Sequence, residues 1–157
     1  MKLLNENDPF LNIPVEDFDL ANLPEDIYSK ISEMMVIMIN SRAIGLAANQ
    51  VGLPWRLFII TTIDGIRVCI NPKIISQSNI LPNSEGCLSF PGLKLVVHRP
   101  NILQVEYFDT DLNLVSETLY GIDAVVFGHE LDHLNGVTFD QRVSKFQFKN
   151  ALKKRNR

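Results

Sequence analysis

A chain of 157 residues that is 46% hydrophobic and 21% charged has the make-up of one globular domain of ordinary size, large enough for a core of its own. A net charge of -3 at pH 7 argues against the basic footprint of a nucleic-acid binder. Two cysteines, Cys69 and Cys87, are too few for a disulfide scaffold and suit a reducing compartment.

The first 21 residues read as irregular, with Pro9 and Pro14 interrupting any regular element, and no long apolar run follows Lys2 as a signal peptide would require. A helix is predicted next. Asn22 is a plausible cap, Pro24 suits a first turn, and Glu25 and Asp26 lie where the helix dipole favours acids. Ile27, Ile31, Met34 and Met38 then recur at helical spacing, which reads as core filling, and the helix should stop before Gly45. The run MMVIMI at 34–39 is too short to span a bilayer.

Between about 55 and 120 the texture changes to short β-branched or aromatic runs: WRLFIIT, IRVCIN, LKLVV, ILQVEYF and LVSETLY. Turn signals separate them closely, so the strands should pair antiparallel. Cys69, inside one such run, reads as a small buried apolar residue. A second helix is expected over about 121–134. Ile122, Val125, Val126, His129 and His133 share one face, and Asn135-Gly136 is a stop. Beyond it the chain reads as a short basic tail, about 144–157, either solvated or a frayed helix. The order of helix, strands and helix indicates an α+β class, with antiparallel strands packed around a central metal-binding HExxH helix and one N-terminal helix.

The chemistry concentrates in HELDHLNGVTF, residues 129–139. Two histidines four apart on a helix can grip one metal ion from the same side, and the glutamate between them can act on water held there. A hydrolytic centre takes three protein ligands, so a third is needed. The extended peptidase motif would place a histidine at 139, where this chain has Phe139, and no glutamate follows Glu130. Asp140 is too close in sequence to swing back easily. The remaining candidates are His98, Cys69, Cys87 and several upstream acids. Of these Cys87, in the glycine-flanked polar segment SEGCLSFPG, is oddly placed for a cysteine that only packs, and a thiolate is a strong ligand for zinc and iron. A metallopeptidase or other amide hydrolase, and a protein with a merely structural metal, are the competing readings. The intact Glu130 argues against the structural one.

With EGCLS at 85–89, HELDH at 129–133 and AIGLAANQ at 43–50 in this order, the chain resembles the peptide deformylases along nearly its whole length. The resemblance implies that Cys87, His129 and His133 hold one divalent metal ion, commonly ferrous iron, with zinc or nickel able to substitute. It implies Glu130 as general base and then acid, and Gln50 with the Leu88 N–H as donors to the oxyanion. Gly45 would bind the substrate peptide as an added strand, while Ile44, Val125 and Val126 either line a methionine pocket or are plain core. The implied reaction is hydrolysis of the formyl group from N-formyl-methionyl chains in a bacterial cytosol or that of a phage-infected host. No DNA or membrane partner is expected, and the basic C-terminus offers a transient ribosome contact. Compact members of the family include bacteriophage-encoded enzymes.

Two further expectations concern the surroundings. Ala43 replaces a glycine usual in the family, which would strain the loop if that position needs a positive φ. Asp132 should lie on the outer face of its helix, and Arg99 either braces Glu85 or forms a surface ion pair worth little.

Overall fold

Residue alternation along one short strand sets the architecture. The computed structural model describes residues 1–156. In it β2 (Leu57–Thr62) buries nearly every side chain, Leu57 and Ile59 toward one face and Phe58 and Ile60 toward the other. A strand buried on both faces needs a cover on each, and the chain supplies two helices. Helix α1 (Ile27–Asn40) packs Ile27, Ile31, Met34 and Met38 on the Leu57–Ile59 side. Helix α2 (Gly121–Leu134) packs Ala124, Val126, Phe127, Leu131 and Leu134 on the Phe58–Ile60 side, with Phe58 and Phe127 edge to face at 4.9 Å. The period-3.6 pattern of each helix and the period-2 pattern of the strand therefore meet in two apolar layers.

The sheet has five strands in chain order, all antiparallel: β1 (Gly45–Ala47), β2, β3 (Gly65–Cys87), β4 (Phe90–Phe108) and β5 (Leu114–Tyr120). Strands β3 and β4 form a long ribbon whose register shifts near Ile70–Lys73, Ile74–Ser76 and Gly86–Cys87. An extra residue of this kind on one strand locally disrupts the ladder and increases its twist. The ribbon ends in a tight turn at Cys87–Phe90.

The antiparallel α+β class and both expected helices are present, but the architecture differs from expectation. The metal-ligand cluster is not held by an HExxH helix around which strands wrap. It is a triad of one cysteine and two histidines, Cys87, His129 and His133, to which the sheet contributes the cysteine. The reason is geometric: histidines one helical turn apart approach an ion from one side, so the set closes only with a donor from another element. A third helix, α3 (Lys145–Arg155), occupies the basic segment expected as either a solvated tail or a frayed helix. Ser144 caps it with Gln147 in a reciprocal capping box. Phe148, Ala151 and Leu152 pack it against Phe90, Leu93 and Leu95 of the ribbon.

Helix α1 closes by a Schellman turn, in which Arg42 N–H donates to Ile39 O and Ala43 N–H to Met38 O. The left-handed residue of that turn is Arg42 at φ 53°. Ala43 is outside the positive-φ set, so its methyl group costs the loop no strain.

Candidate metal centre and cleft

Each functional side chain is delivered by a rigid element. Helix α2 presents His129, Glu130 and His133, all buried. The ribbon turn presents Cys87, half-buried, with its sulfur 3.2 Å from His133 Nε2. One donor atom from each of Cys87, His129 and His133 falls within 4.8 Å of the others. A tetrahedral ion with bonds of about 2.0–2.3 Å needs donors separated by roughly 3.5 Å, so the triad fits one after small adjustments. Thiolate plus two imidazoles is also a donor set suited to iron or zinc. Glu130 Oε2 is buried without a protein hydrogen-bond partner, as expected for a carboxyl that serves a water or substrate.

Charge in the cluster is set by its neighbours. Burial opposes the charge on His129, but the Cys87 sulfur and the Glu85 carboxylate outweigh it and push the pKa up to about 10. Burial takes the His133 pKa well below the usual imidazole range. Burial also raises Glu130, to about 7, against the pull of His129 and Arg99. A carboxyl poised there can take and give a proton near neutral pH.

A buried ionic bracket stands behind the histidines. His129 Nδ1 lies 2.8 Å from Glu85 Oε2, which leaves Nε2 for the ion. Arg99 donates to both Glu85 oxygens, at 2.7 and 3.0 Å, and to Asp132. Arg142 donates to Asp132 as well. Burial works against the Glu85 carboxylate, yet His129 and Arg99 hold its pKa below the ordinary value. Asp132 is accordingly only 6% exposed, contrary to its expected place on an outer face, because Arg99 from β4 and Arg142 cover that side. The Arg99–Glu85 pair is buried too, so it is not a surface bridge.

The remaining expected residues converge on one cavity of about 620 Å³, which Gly45, Gln50, Leu88, Ile44, Val125 and Val126 line together with Cys87, His129 and Glu130. Val126 also belongs to the core behind the cavity, so both of its expected roles coexist. The Gln50 amide is fixed in orientation. Its Oε1 accepts from Ala47 N–H at 2.9 Å, which turns Nε2 toward Ser89 Oγ at 3.2 Å and Cys87 Sγ at 3.4 Å. Gly45 lies against Glu130 so closely that a Cβ would collide with the carboxyl. His98 is exposed, Cys69 is sealed in the core, and neither belongs to the cluster. Phe139, where a peptidase would carry a histidine, is buried beside Phe90 and the His129 ring.

Ser89 and Asn49 escaped the sequence reading. Asn49 Nδ2 donates to the His133 carbonyl across 84 positions of chain, and Ser89 meets Gln50 across 39. Only their place inside the motif segments hinted at either.

Comparison with known proteins gives a family and a fold. Residues 1–149 match the family model described as polypeptide deformylase. Relatives include the peptide deformylases of Aquifex aeolicus (36% identical, covering 92% of this chain and 88% of that one) and Finegoldia magna (41%, covering 88% and 86%). Among solved structures, the chain is similar to a peptide deformylase from Synechococcus elongatus in complex with actinonin, with a TM-score of 0.91 and 34% identity over 99% of this chain and 85% of that one. The Thermus thermophilus peptide deformylase is similar at a TM-score of 0.88 and 31% identity, covering 98% and 92%.

Proposed function

The chain belongs to the polypeptide deformylase family, and on that footing we propose how its own residues perform the reaction. It is a metal-dependent hydrolase that removes the N-formyl group from nascent polypeptides. The observation that carries the residue assignment is the cluster of Cys87, His129 and His133 at a cavity that Cys87, His129 and Glu130 line, the last with a buried, partnerless oxygen.

In this reading Cys87, His129 and His133 are the ligands of one divalent ion. The ion, when bound, supplies the Lewis acidity that brings the pKa of a water from about 15.7 toward about 7. Glu130 takes that water's proton, and its raised pKa supports the role. As the water oxygen bonds to the formyl carbon, negative charge grows on the formyl oxygen, and Gln50 Nε2 and the Leu88 N–H donate to it, each donor being worth about 2.7–4 kcal/mol. Glu130 then passes the proton to the amine nitrogen as the C–N bond breaks, and formate departs. Gly45 at the free edge of β1 pairs with the substrate backbone, and Ile44, Val125 and Val126 take the methionine side chain.

Ferrous iron is the ion we assign in the cell, with zinc or nickel as substitutes. That choice follows the family resemblance, and the mixed sulfur and nitrogen donors suit iron and zinc alike. The cytoplasm is the compartment we assign. The two free cysteines support it, and among the described residues no helix is long and apolar enough to cross a membrane. The exposed lysines of α3 support a transient ribosome contact.

The test is formate release from formyl-methionyl peptides by iron-, nickel- and zinc-loaded protein, beside acetylated and unblocked controls. Glu130→Ala should keep normal metal content and lose nearly all turnover. No formate with any metal from a folded holo-protein, or full activity in Glu130→Ala, overturns the assignment.

A further inference from the structure

Burial along the first motif gives the cleft a direction. Arg42 and Ile44 are exposed, Gly45 is half-buried, and Leu46 through Gln50 are buried beside the metal cluster. A peptide whose formyl end reaches Glu130 must therefore leave along Ile44, Ala43 and Arg42. Its chain then runs antiparallel to β1, with about 3.3 Å per residue. This direction rests on the added-strand reading above.

Two exposed cations line the same cavity. Arg42 lies between the end of α1 and β1, and Lys94 lies on the ribbon, cross-strand from Gly86 beside Cys87. Both are exposed, and among the described residues neither has a hydrogen bond or ion pair through its side chain. The only carboxylates lining the cavity, among the described residues, are Glu85 and Glu130. Glu85 is consumed by Arg99 and His129, and Glu130 lies at the deep end. The mouth therefore carries uncompensated positive charge on a protein whose net charge is -3. A cation at the C-terminus of α1 has a plain structural use against the helix dipole. That use accounts for the charge of Arg42 but not for Lys94, which sits within a strand. Nor does it account for an arginine at a left-handed position where glycine is easier.

We propose that Arg42 and Lys94 are specificity residues that select substrates with an acidic side chain in the two positions after the formyl-methionine. Two cations lining one cavity attract a carboxylate and repel a lysine, and the effect is screened by salt.

The experiment uses metal-loaded full-length protein and C-terminally amidated peptides, formyl-Met-Xaa-Ala-Ala and formyl-Met-Ala-Xaa-Ala, with Xaa as Glu, Gln or Lys. Amidation confines the carboxylate to the side chain. A free-acid formyl-Met-Ala beside its amide reports a terminal carboxylate separately. At low salt kcat/KM should favour Glu over Lys by about fivefold to tenfold in at least one series, mainly through KM, and the ratio should fall toward 1 in high salt. Ratios are read within each protein, so a general loss of activity cancels. Arg42→Gln with Lys94→Gln should flatten the ratio, and Arg42→Glu with Lys94→Glu should invert it. Equal rates on all side chains while the Gln peptides are turned over overturn the specificity and leave the deformylase assignment standing, as does a preference that survives in the double glutamine variant. A preference confined to the free-acid peptide also overturns it. Failure to turn over any formyl peptide overturns both.

Discussion

Gly45 and Glu130 occupy adjoining volumes, so that the carboxyl of the helix residue rests where a side chain at 45 would begin. The glycine is needed here for close approach, since its φ is not in the left-handed region. Gly45→Ala should displace the Glu130 carboxyl while leaving the Cys87, His129 and His133 donors in place. We expect a fall in kcat of about 100-fold or more, because a misplacement of around 1 Å at a reacting group costs that much. Metal content and Tm should stay near the parent's. Steady-state kinetics beside metal analysis decides it, and wild-type kcat in Gly45→Ala would refute the relationship.

The sequence made α2 legible to its ends, because five apolar or histidine positions at steps of three and four leave no other element possible. It made the deep site legible because Cys87, Gln50 and Glu130 sit in dense motifs. Three things were hidden for a common reason, namely that a partner distant in sequence decided them. Asp132 reads as an outer-face residue on an isolated helix, and becomes buried only because β4 brings Arg99 beside it. Ser89 carries no signal of its own in the sequence, because the Gln50 amide it meets lies 39 positions away. The basic end reads as a solvated tail or a frayed helix because α3 has weak amphipathicity, and its docking depends on Phe90 and Leu93 across the chain.

Arg99 joins two buried carboxylates, so its removal should be costly. Arg99→Leu leaves Glu85 with His129 alone and Asp132 with Arg142 alone, and breaking a buried pair by removing one partner costs about 3–5 kcal/mol. Urea denaturation of the holo-protein should read a loss of that size. A loss below roughly 1 kcal/mol would mean that the bracket is solvated and stabilises little.

Glu85 orients His129 through Nδ1, so Glu85→Gln should weaken metal binding more than it weakens the fold. Loss of such an outer hydrogen bond typically lowers affinity about 10–100-fold. Chelator competition measures this directly, and an unchanged metal affinity would show that the ring is held by packing against Phe139 instead.

The two cysteines should behave oppositely. Burial pushes the Cys69 thiol well above its ordinary pKa, and its side chain is 0% exposed, so it should resist alkylation in the folded protein. Cys69→Ala should retain metal at a stability cost of about 1 kcal/mol. Cys87→Ala should lose most bound metal while keeping its secondary structure. Metal analysis of both variants is sufficient, and metal retention in Cys87→Ala would remove the sulfur from the ligand set.

Helix α3 is tied to the start of the chain by Arg155, which donates to both Glu6 oxygens at 2.6 and 3.0 Å. The hydrogen bond from Arg155 is the main cause that holds the Glu6 pKa below 4.5, with burial opposing it. A carboxylate depressed in the folded state contributes its full stabilisation above the unfolded value and loses it as pH falls through the folded one. The tie is therefore complete at pH 7 and weakens only below about pH 4.5. Glu6→Gln should speed amide exchange across residues 145–155 at pH 7, and the variant and parent should converge once the pH lies below the folded pKa of Glu6. Because Phe148 and Leu152 also dock α3 on the ribbon, the helix should stay formed throughout. Equal exchange in both proteins at pH 7 would assign the docking to those apolar contacts alone.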